Sequence, residues 1–287
     1  MDVSVIIVSY NTKDLTIACL RSVYLFTKDV TFEVILVDND SHDGSIEAVR
    51  ELFPFVKVIC LSENVGFGNA NNIGAREATG KYLFLLNSDT ELISNSIKRF
   101  YDYLELNTQY ASCGCNLLDG KRSNAVCHGC LPTLKMDFFS LGLNKVFSYY
   151  YRNYLSEGQT IDYGNLEDTG YISGADIFIR KEVFDSLKGF DSNIFLYYEE
   201  TDLFYRLSEK GLKSCILPDE IIIHYGGGSG GSISYQKVLM YEKSRLYFFR
   251  KHYTNVYVFI EKVVRLFNLL IRQTPDKKRL IRDYISL

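Results

Sequence analysis

Three groups of carboxylates stand where side-chain chemistry is possible. Asp38 closes an apolar run and opens the turn-forming stretch Asp38-Asn39-Asp40-Ser41-His42-Asp43-Gly44-Ser45, which places it to accept a hydrogen bond from a base or a ribose hydroxyl. Asp43 in the same stretch reads first as an Asx turn leading into a helix cap at Ser45. Asn87-Ser88-Asp89 leaves the most apolar run of the chain, and a carboxylate there can reach a divalent cation that in turn holds a diphosphate. The third group, Tyr197-Tyr198-Glu199-Glu200-Thr201-Asp202-Leu203-Phe204-Tyr205-Arg206, sets three carboxylates within four residues at a predicted helix start. A helix N-terminus favours negative charge on its own account. Crowded like charges also raise the pKa of at least one carboxyl, which is what a general base near neutral pH requires. A fourth run, from Asn64 to Gly74, offers glycines and amides, but its spacing is not G-x-G-x-x-G and it follows the third apolar run. A dinucleotide site is therefore disfavoured.

The elements that must position these groups are legible from hydrophobic spacing. Apolar or β-branched runs at 3–8, 33–37, 56–61 and 81–86 predict buried parallel strands. Between them, Leu15, Ala18, Cys19 and Ser22, then Ile46, Val49, Arg50 and Phe53, have helical spacing. The pattern is βαβα over residues 1–105. In such sheets ligands bind outside the carboxyl ends of the strands, and Ser9-Tyr10-Asn11, Asp38, Asn64 and Asn87-Ser88-Asp89 all follow strands there. Residues 110–170 read as loops and short elements. Order returns with a strand at 171–180, a helix at 199–210, strands at 214–217 and 221–224, and two helices after Ser234, preceded by a glycine-rich loop at 226–231.

The 287 residues are 47% hydrophobic and 23% charged, ordinary globular values that argue against disorder and a multi-span membrane protein. No apolar run is long enough to span a bilayer, and residues 1–9 lack the basic start of a signal peptide, so a cytoplasmic protein is expected. Seven scattered cysteines argue for a reducing compartment over a disulfide framework. Residues 237–287 carry twelve Lys and Arg against four Asp and Glu, a balance of +8 within a chain of net charge −3.

Taken together and in order, Val5-Ile6-Ile7-Val8-Ser9-Tyr10-Asn11, Val37 to Ser45, Asn64-Val65-Gly66-Phe67-Gly68, Leu86-Asn87-Ser88-Asp89, Gly189-Phe190-Asp191 and Glu199-Glu200-Thr201-Asp202-Leu203 resemble family 2 inverting glycosyltransferases, most closely their rhamnosyltransferase-like branch. The likeness runs from residue 3 to about residue 250. It implies an α/β fold of GT-A type, Rossmann-like, with a mostly parallel central sheet flanked by helices and with C-terminal helices. It also implies a division into a nucleotide-sugar half at 1–105, an acceptor-binding and catalytic half at 106–233 and basic amphipathic helices at 234–287. By position, Asp38 would bind a uracil or thymine ring, Tyr10 and Asn11 would line the nucleotide pocket, and Asn64 and Gly66, with Asn87 and Ser88, would border base and diphosphate. Asp89 matches the last carboxylate of a D-x-D metal motif whose first position is the neutral Asn87, and His224 matches a histidine that completes the metal site in some relatives. The expected cofactor is Mn2+ or Mg2+. The base position falls on Glu200, with Glu199 second because glutamate replaces the family's aspartate. Asp191 and Asp202 serve as acceptor-side or supporting residues, and the glycine-rich loop as a donor-covering lid.

The implied reaction moves a sugar from a dTDP- or UDP-sugar to a polysaccharide or polyprenyl-linked acceptor in bacterial surface-glycan synthesis. A non-catalytic, nucleotide-binding relative is the rival, motivated by Asn87 and Glu200; a glycoside hydrolase leaves Asp38 and Asn64 unexplained. Cys113, Cys115, Cys127 and Cys130 are spaced poorly for zinc. In the tail, Val256, Phe259, Ile260, Val263, Phe267, Leu270 and Ile271 share one helical face, opposite Glu261, Arg265, Asn268 and Arg272. That stripe can pack on the core, on a second copy, or at an anionic membrane, which the basic balance favours. Nucleic acid is not suggested, since base-stacking motifs are missing from the sequence.

Overall fold

The computed structural model describes residues 1–161, 166–226, 234–271 and 276–287. Residues 227–231 of the expected lid and Arg272 of the tail stripe lie outside them. Strands β1 (Val3–Ser9), β2 (Phe32–Asp38), β3 (Lys57–Cys60) and β4 (Tyr82–Asn87) alternate with helices α1 (Lys13–Phe26), α2 (Ser45–Leu52) and α3 (Phe67–Arg76). The chain continues through β5 (Thr90–Leu92), α4 (Ser96–Leu106), β6 (Tyr110–Leu118), β7 (His128–Gly129), α5 (Leu134–Phe138), a π-helical turn at Phe139–Leu143, α6 (Asn144–Val146) and α7 (Ser148–Tyr154). It ends with β8 (Tyr171–Ile172), β9 (Asp176–Arg180), α8 (Lys181–Ser186), α9 (Glu199–Glu209), β10 (Lys213–His224), α10 (Tyr235–His252), α11 (Asn255–Ile271) and α12 (Lys277–Ser286).

Eight strands form one sheet in the order β3-β2-β1-β4-β9-β6-β10-β5. β9 runs antiparallel to both its neighbours and β5 antiparallel to β10, while the remaining pairings are parallel. β1, β2 and β4 are largely apolar because helices cover both faces, whereas β3, at the sheet edge, is exposed at Lys57 and Cys60. Val3, Val5 and Ile7 join Val34, Leu36, Tyr82, Phe84 and Leu86 beneath Leu20, Val23 and Phe100 of α1 and α4. Ile6, Ile35, Val37, Leu83 and Leu85 face the other way, toward Ala70, Phe184, Phe204 and Leu207 of α3, α8 and α9.

Four expectations are corrected. The stretch expected to be loops holds β6, a nine-residue strand buried along nearly its whole length. Its residues are small because its neighbours press close: a Cβ on Gly114 would lie 2.5 Å from a methyl of Ile172 and 3.1 Å from the Asp176 carboxylate. The strand expected at 171–180 is broken by the turn Ser173-Gly174-Ala175, and the two strands expected at 214–224 are one, β10, with a register shift between Leu217 and Ile221 around Pro218. Three helices, not two, follow Ser234.

Candidate active site

The carboxyl ends of β1, β2 and β4 open onto a cavity of about 720 Å3. Tyr10, Asn11, Thr12, Asn39, Asn64, Gly66, Asn87, Ser88 and Asp89 line it, so most of the polar residues expected at the strand ends converge. Hydrogen bonds fix its floor. Thr12 and Ser9 share their hydroxyls at 3.2 Å, and Thr12 meets Ser88 at 3.1 Å, tying the end of β1 to that of β4. Asn39 donates to Asn64 Oδ1 at 2.8 Å and accepts from the Val65 amide at 2.9 Å, which pins the turn after β3 to the turn after β2. Gly66 has φ +85°, and a Cβ there would lie 2.3 Å from the Phe195 carbonyl oxygen, so only glycine lets the two walls approach. Sequence reasoning passed over Thr12 and Asn39 because their value lies in partners far along the chain.

Asp38, next to the lining residue Asn39, is 1% exposed and does not itself line the cavity. One carboxylate oxygen accepts from the Ser41 amide at 2.9 Å, and the other is a buried acceptor with no hydrogen bond. Such an orphaned acceptor fits a ring N–H donor. Asn11, in the left-handed region at φ 52°, accepts from the His42 amide and donates its own amide to Ser41 Oγ, holding Tyr10 at the mouth. Asp43 is structural: it accepts from the Lys13 amide at 2.8 Å and from the amide and hydroxyl of Ser45, fastening the first turns of α1 and α2. Burial pushes its carboxyl up, but those hydrogen bonds prevail and hold it below the usual range. The cap of α2 is Gly44 in the left-handed region, and Ser45 is the first helical residue.

Asp89 and His224 meet from β4's turn and the end of β10. Asp89 Oδ1 lies 3.3 Å from His224 Nε2, and Asn87 Nδ2 lies 3.5 Å from the same nitrogen. Among the described residues no group of three or more His, Cys, Asp or Glu gathers as a metal site. One carboxylate and one imidazole still suit a hard ion of the magnesium or manganese type, which takes its remaining ligands from water and phosphate.

A second cavity, of about 230 Å3, adjoins the first: Phe67, Asn87 and Leu196 line both. Its far wall carries Glu199 and Glu200, with Ser173 and Gly174. The turn into α9 sets Tyr197 at φ 66° and Tyr198 at φ 71°, two consecutive non-glycine residues in the left-handed region, a strain that concentrates at functional sites. Glu199 is 2% exposed, and its Oε1 has no hydrogen-bond partner. Glu200 is the more open of the two and lies against the Gly174 backbone N–H. Burial raises both carboxyls, and the charge of Glu200 raises that of Glu199 further.

Asp191 and Asp202 lie behind this wall. Lys251 Nζ is 2.6 Å from each, His252 Nε2 is 2.7 Å from Asp202, and Arg206 Nε is 2.7 Å from Asp202. Arg206 also donates to the carbonyls of Leu187 and Gly189. Burial raises Asp191, yet bonds from Lys251, Asn193 and Tyr247 bring it down to about 2. Both aspartates therefore position α9 from behind. The amides after Asn64 are largely used in packing too: the run from Phe67 is helix α3, and Asn72 exchanges two hydrogen bonds of 2.9 Å with the backbone of Phe190. Cys113, Cys115 and Cys127 are in the core, and Cys130 Sγ accepts from Gln159. From α10, Gln236, Lys237 and Met240 also border the larger cavity, and sequence reasoning named none of them; their position just after a glycine-rich loop is the signal that could have found them.

Comparison with known proteins gives the same picture. Residues 4–164 match the family model for glycosyl transferase family 2. An N-acetylglucosaminyl-diphospho-decaprenol L-rhamnosyltransferase of Mycobacterium tuberculosis is 25% identical over 231 residues, 75% of this chain and 73% of that protein. The O-antigen biosynthesis protein RfbC of Myxococcus xanthus is 27% identical over 240 residues, 79% of this chain but 17% of that much longer protein. Among solved structures, a mannosyltransferase of Pyrobaculum calidifontis in complex with GDP-Man and Mn2+ superposes with TM-score 0.60 at 17% identity, covering 99% of this chain and 74% of that one. TarS 1-349 of S. aureus superposes with TM-score 0.56 at 12% identity, covering 99% and 71%. By sequence match the chain belongs to glycosyl transferase family 2, and it shares its fold with the solved transferases.

Proposed function

We propose that this glycosyltransferase moves a sugar, with inversion, from a dTDP- or UDP-sugar to a hydroxyl of a saccharide or polyprenyl-linked acceptor in surface-glycan synthesis, on the cytoplasmic side of a membrane. The observation that carries the proposal is the shared wall of the two cavities: Asn87 and Phe67 stand between the Asp89–His224 pair and the raised carboxyl of Glu200. The orphaned oxygen of Asp38 supports a pyrimidine ring in the larger cavity, Tyr10 and Asn11 border it, and Asn64, Gly66 and Ser88 shape the floor under the diphosphate. Asp89 and His224 would hold Mn2+ or Mg2+, which when bound neutralises charge on the leaving diphosphate.

Glu200 takes the proton of the acceptor hydroxyl, whose oxygen forms the new bond to the anomeric carbon as the bond to the diphosphate oxygen breaks. The diphosphate leaves with the electron pair. Glu199 stays neutral beside the base, its carboxyl raised by burial and by the charge of Glu200. The relative acting on a decaprenol diphosphate acceptor makes rhamnose the first donor sugar to test. Incubation with dTDP-rhamnose, UDP-glucose, UDP-galactose and UDP-N-acetylglucosamine, each with Mn2+ and a polyprenyl-diphosphate saccharide, should release nucleoside diphosphate from one donor. Binding of nucleoside diphosphate with no transfer from any donor would identify a non-catalytic relative instead.

A further inference from the structure

Helix α11 is built inside out for a water-facing surface. Its polar residues point inward: Glu261 and Asn268 are fully buried and Arg265 nearly so. Glu261 pairs with Arg245 of α10, Arg265 lies 2.5 Å from Glu242, and Asn268 donates to the Asp137 carbonyl and accepts from Ser140 Oγ. The apolar stripe points outward, with Val256 71%, Phe259 69%, Phe267 58% and Ile271 61% exposed. The π-helical turn that Asn268 grips leads into further exposed apolar residues, Leu143, Val146, Phe147 and Tyr149. An apolar surface of this extent marks a binding face.

Charge identifies the occupant. Within residues 237–287 the buried Glu242, Glu261, Arg245 and Arg265 cancel one another, so the +8 balance is carried wholly by the other residues. Of these Lys278, Arg279 and Arg282 are exposed on α12, which packs against α11. A second copy docked on this face would set one basic α12 against another, whereas anionic headgroups complement it. No helix among the described residues is long and apolar enough to cross a membrane, so α11 would lie along the surface. We propose that the outward face of α11, with the basic surface of α12, docks on an anionic lipid bilayer with the helix axis in the plane of the interface. The proposal stands on this surface alone and does not depend on the donor or the reaction.

The test is co-sedimentation of the full chain with vesicles of phosphatidylcholine alone and of phosphatidylcholine mixed equally with phosphatidylglycerol. Partition should be at least about tenfold stronger on the mixed vesicles and weaken as salt is raised. The pair Phe259→Ser and Phe267→Ser should lose about tenfold or more of that partition, with the thermal unfolding midpoint unchanged. Lys278→Gln with Arg282→Gln should lose the preference for anionic vesicles. The proposal is overturned if the parent does not bind mixed vesicles, or if the Phe259/Phe267 pair binds them as the parent does. It is equally overturned if light scattering finds a dimer of the parent that this pair converts to a monomer.

Discussion

Glu199 and Glu200 are neighbours on one helical turn and border one cavity, but their surroundings assign them different work. A base must reach its proton, and Glu200 is the one that opens toward the cavity, while Glu199 is sealed in with an unpartnered oxygen. Glu200→Gln should lower turnover by roughly two orders of magnitude or more, the usual weight of a positioned base, with the donor KM little changed. Glu199→Gln should cost less, since Glu199 is buried and held neutral, and the amide keeps its shape without adding or removing a charge. Steady-state kinetics on both variants decides the matter, and the reverse ranking would transfer the role to Glu199. The pH dependence follows from the same surroundings. Burial raises Glu200 above its ordinary 4.5, and the base acts only when ionised. Turnover should therefore fall as pH drops through that raised value, on an acid limb lying above pH 4.5. In Glu199→Gln the limb should stay where it is, because burial and the charge of Glu200 hold Glu199 neutral while Glu200 ionises; a limb that moves to lower pH in a pH–kcat profile would show that Glu199 is charged beside the base.

At the scale of elements, the site depends on close approaches between turns. Gly66 joins the turn after β3 to Phe195 of the segment before α9. Gly66→Ala faces both a left-handed φ and a contact of 2.3 Å with a carbonyl oxygen, so a cost of about 1–3 kcal/mol is expected from urea unfolding, accompanied by weaker binding of nucleoside diphosphate. An unchanged unfolding midpoint would mean that the two turns separate freely. Such approaches also mark what the sequence could and could not convey. β1, β2 and β4 were legible because each is apolar on both faces, and the polar residues at their ends followed from that register. β6 was not, since Ala111-Ser112-Cys113-Gly114-Cys115 is a run of small residues without strand-like patterning, and the close approach of Ile172 and Asp176 to Gly114 is a contact between distant parts of the chain. Asp38, Asp89 and His224 could be named from strand ends and resemblance, and the structure brings Asp89 and His224 together. Asn39 and Thr12 could not be named, because their roles arise from pairing with Asn64 and Ser88. For α11 the periodicity separated two faces correctly but carried no mark of which one is inside; that is set by Glu242 and Arg245 on another helix.

Over the whole molecule, the C-terminal helices join the rest of the chain through aromatic packing and through buried charge. Phe248 and Phe249 of α10 pack with Tyr198 at the entry to α9, so α10 braces the turn that leads into Glu199 and Glu200. α11 is then held to α10 by Glu242–Arg265 and Arg245–Glu261, with Asp137 of α5 completing the set. Buried ion pairs of this kind contribute little net stability against apolar replacements, yet breaking one leaves an uncompensated charge in the interior. Their consequence here is directional: they fix α11 with its polar face inward and leave its apolar face to the outside. Arg265→Met alone strands Glu242, which is 1% exposed, and should destabilise by about 3–5 kcal/mol in urea unfolding. Adding Glu242→Leu should recover most of that loss, because the remaining groups are apolar and of similar volume. The double variant retains Arg245–Glu261 and the Asn268 contacts, so α11 should keep its orientation and the chain its binding of nucleoside diphosphate. A double variant as unstable as Arg265→Met would mean that the charge pair itself, and not the burial of a lone charge, holds the C-terminal helices on the enzyme.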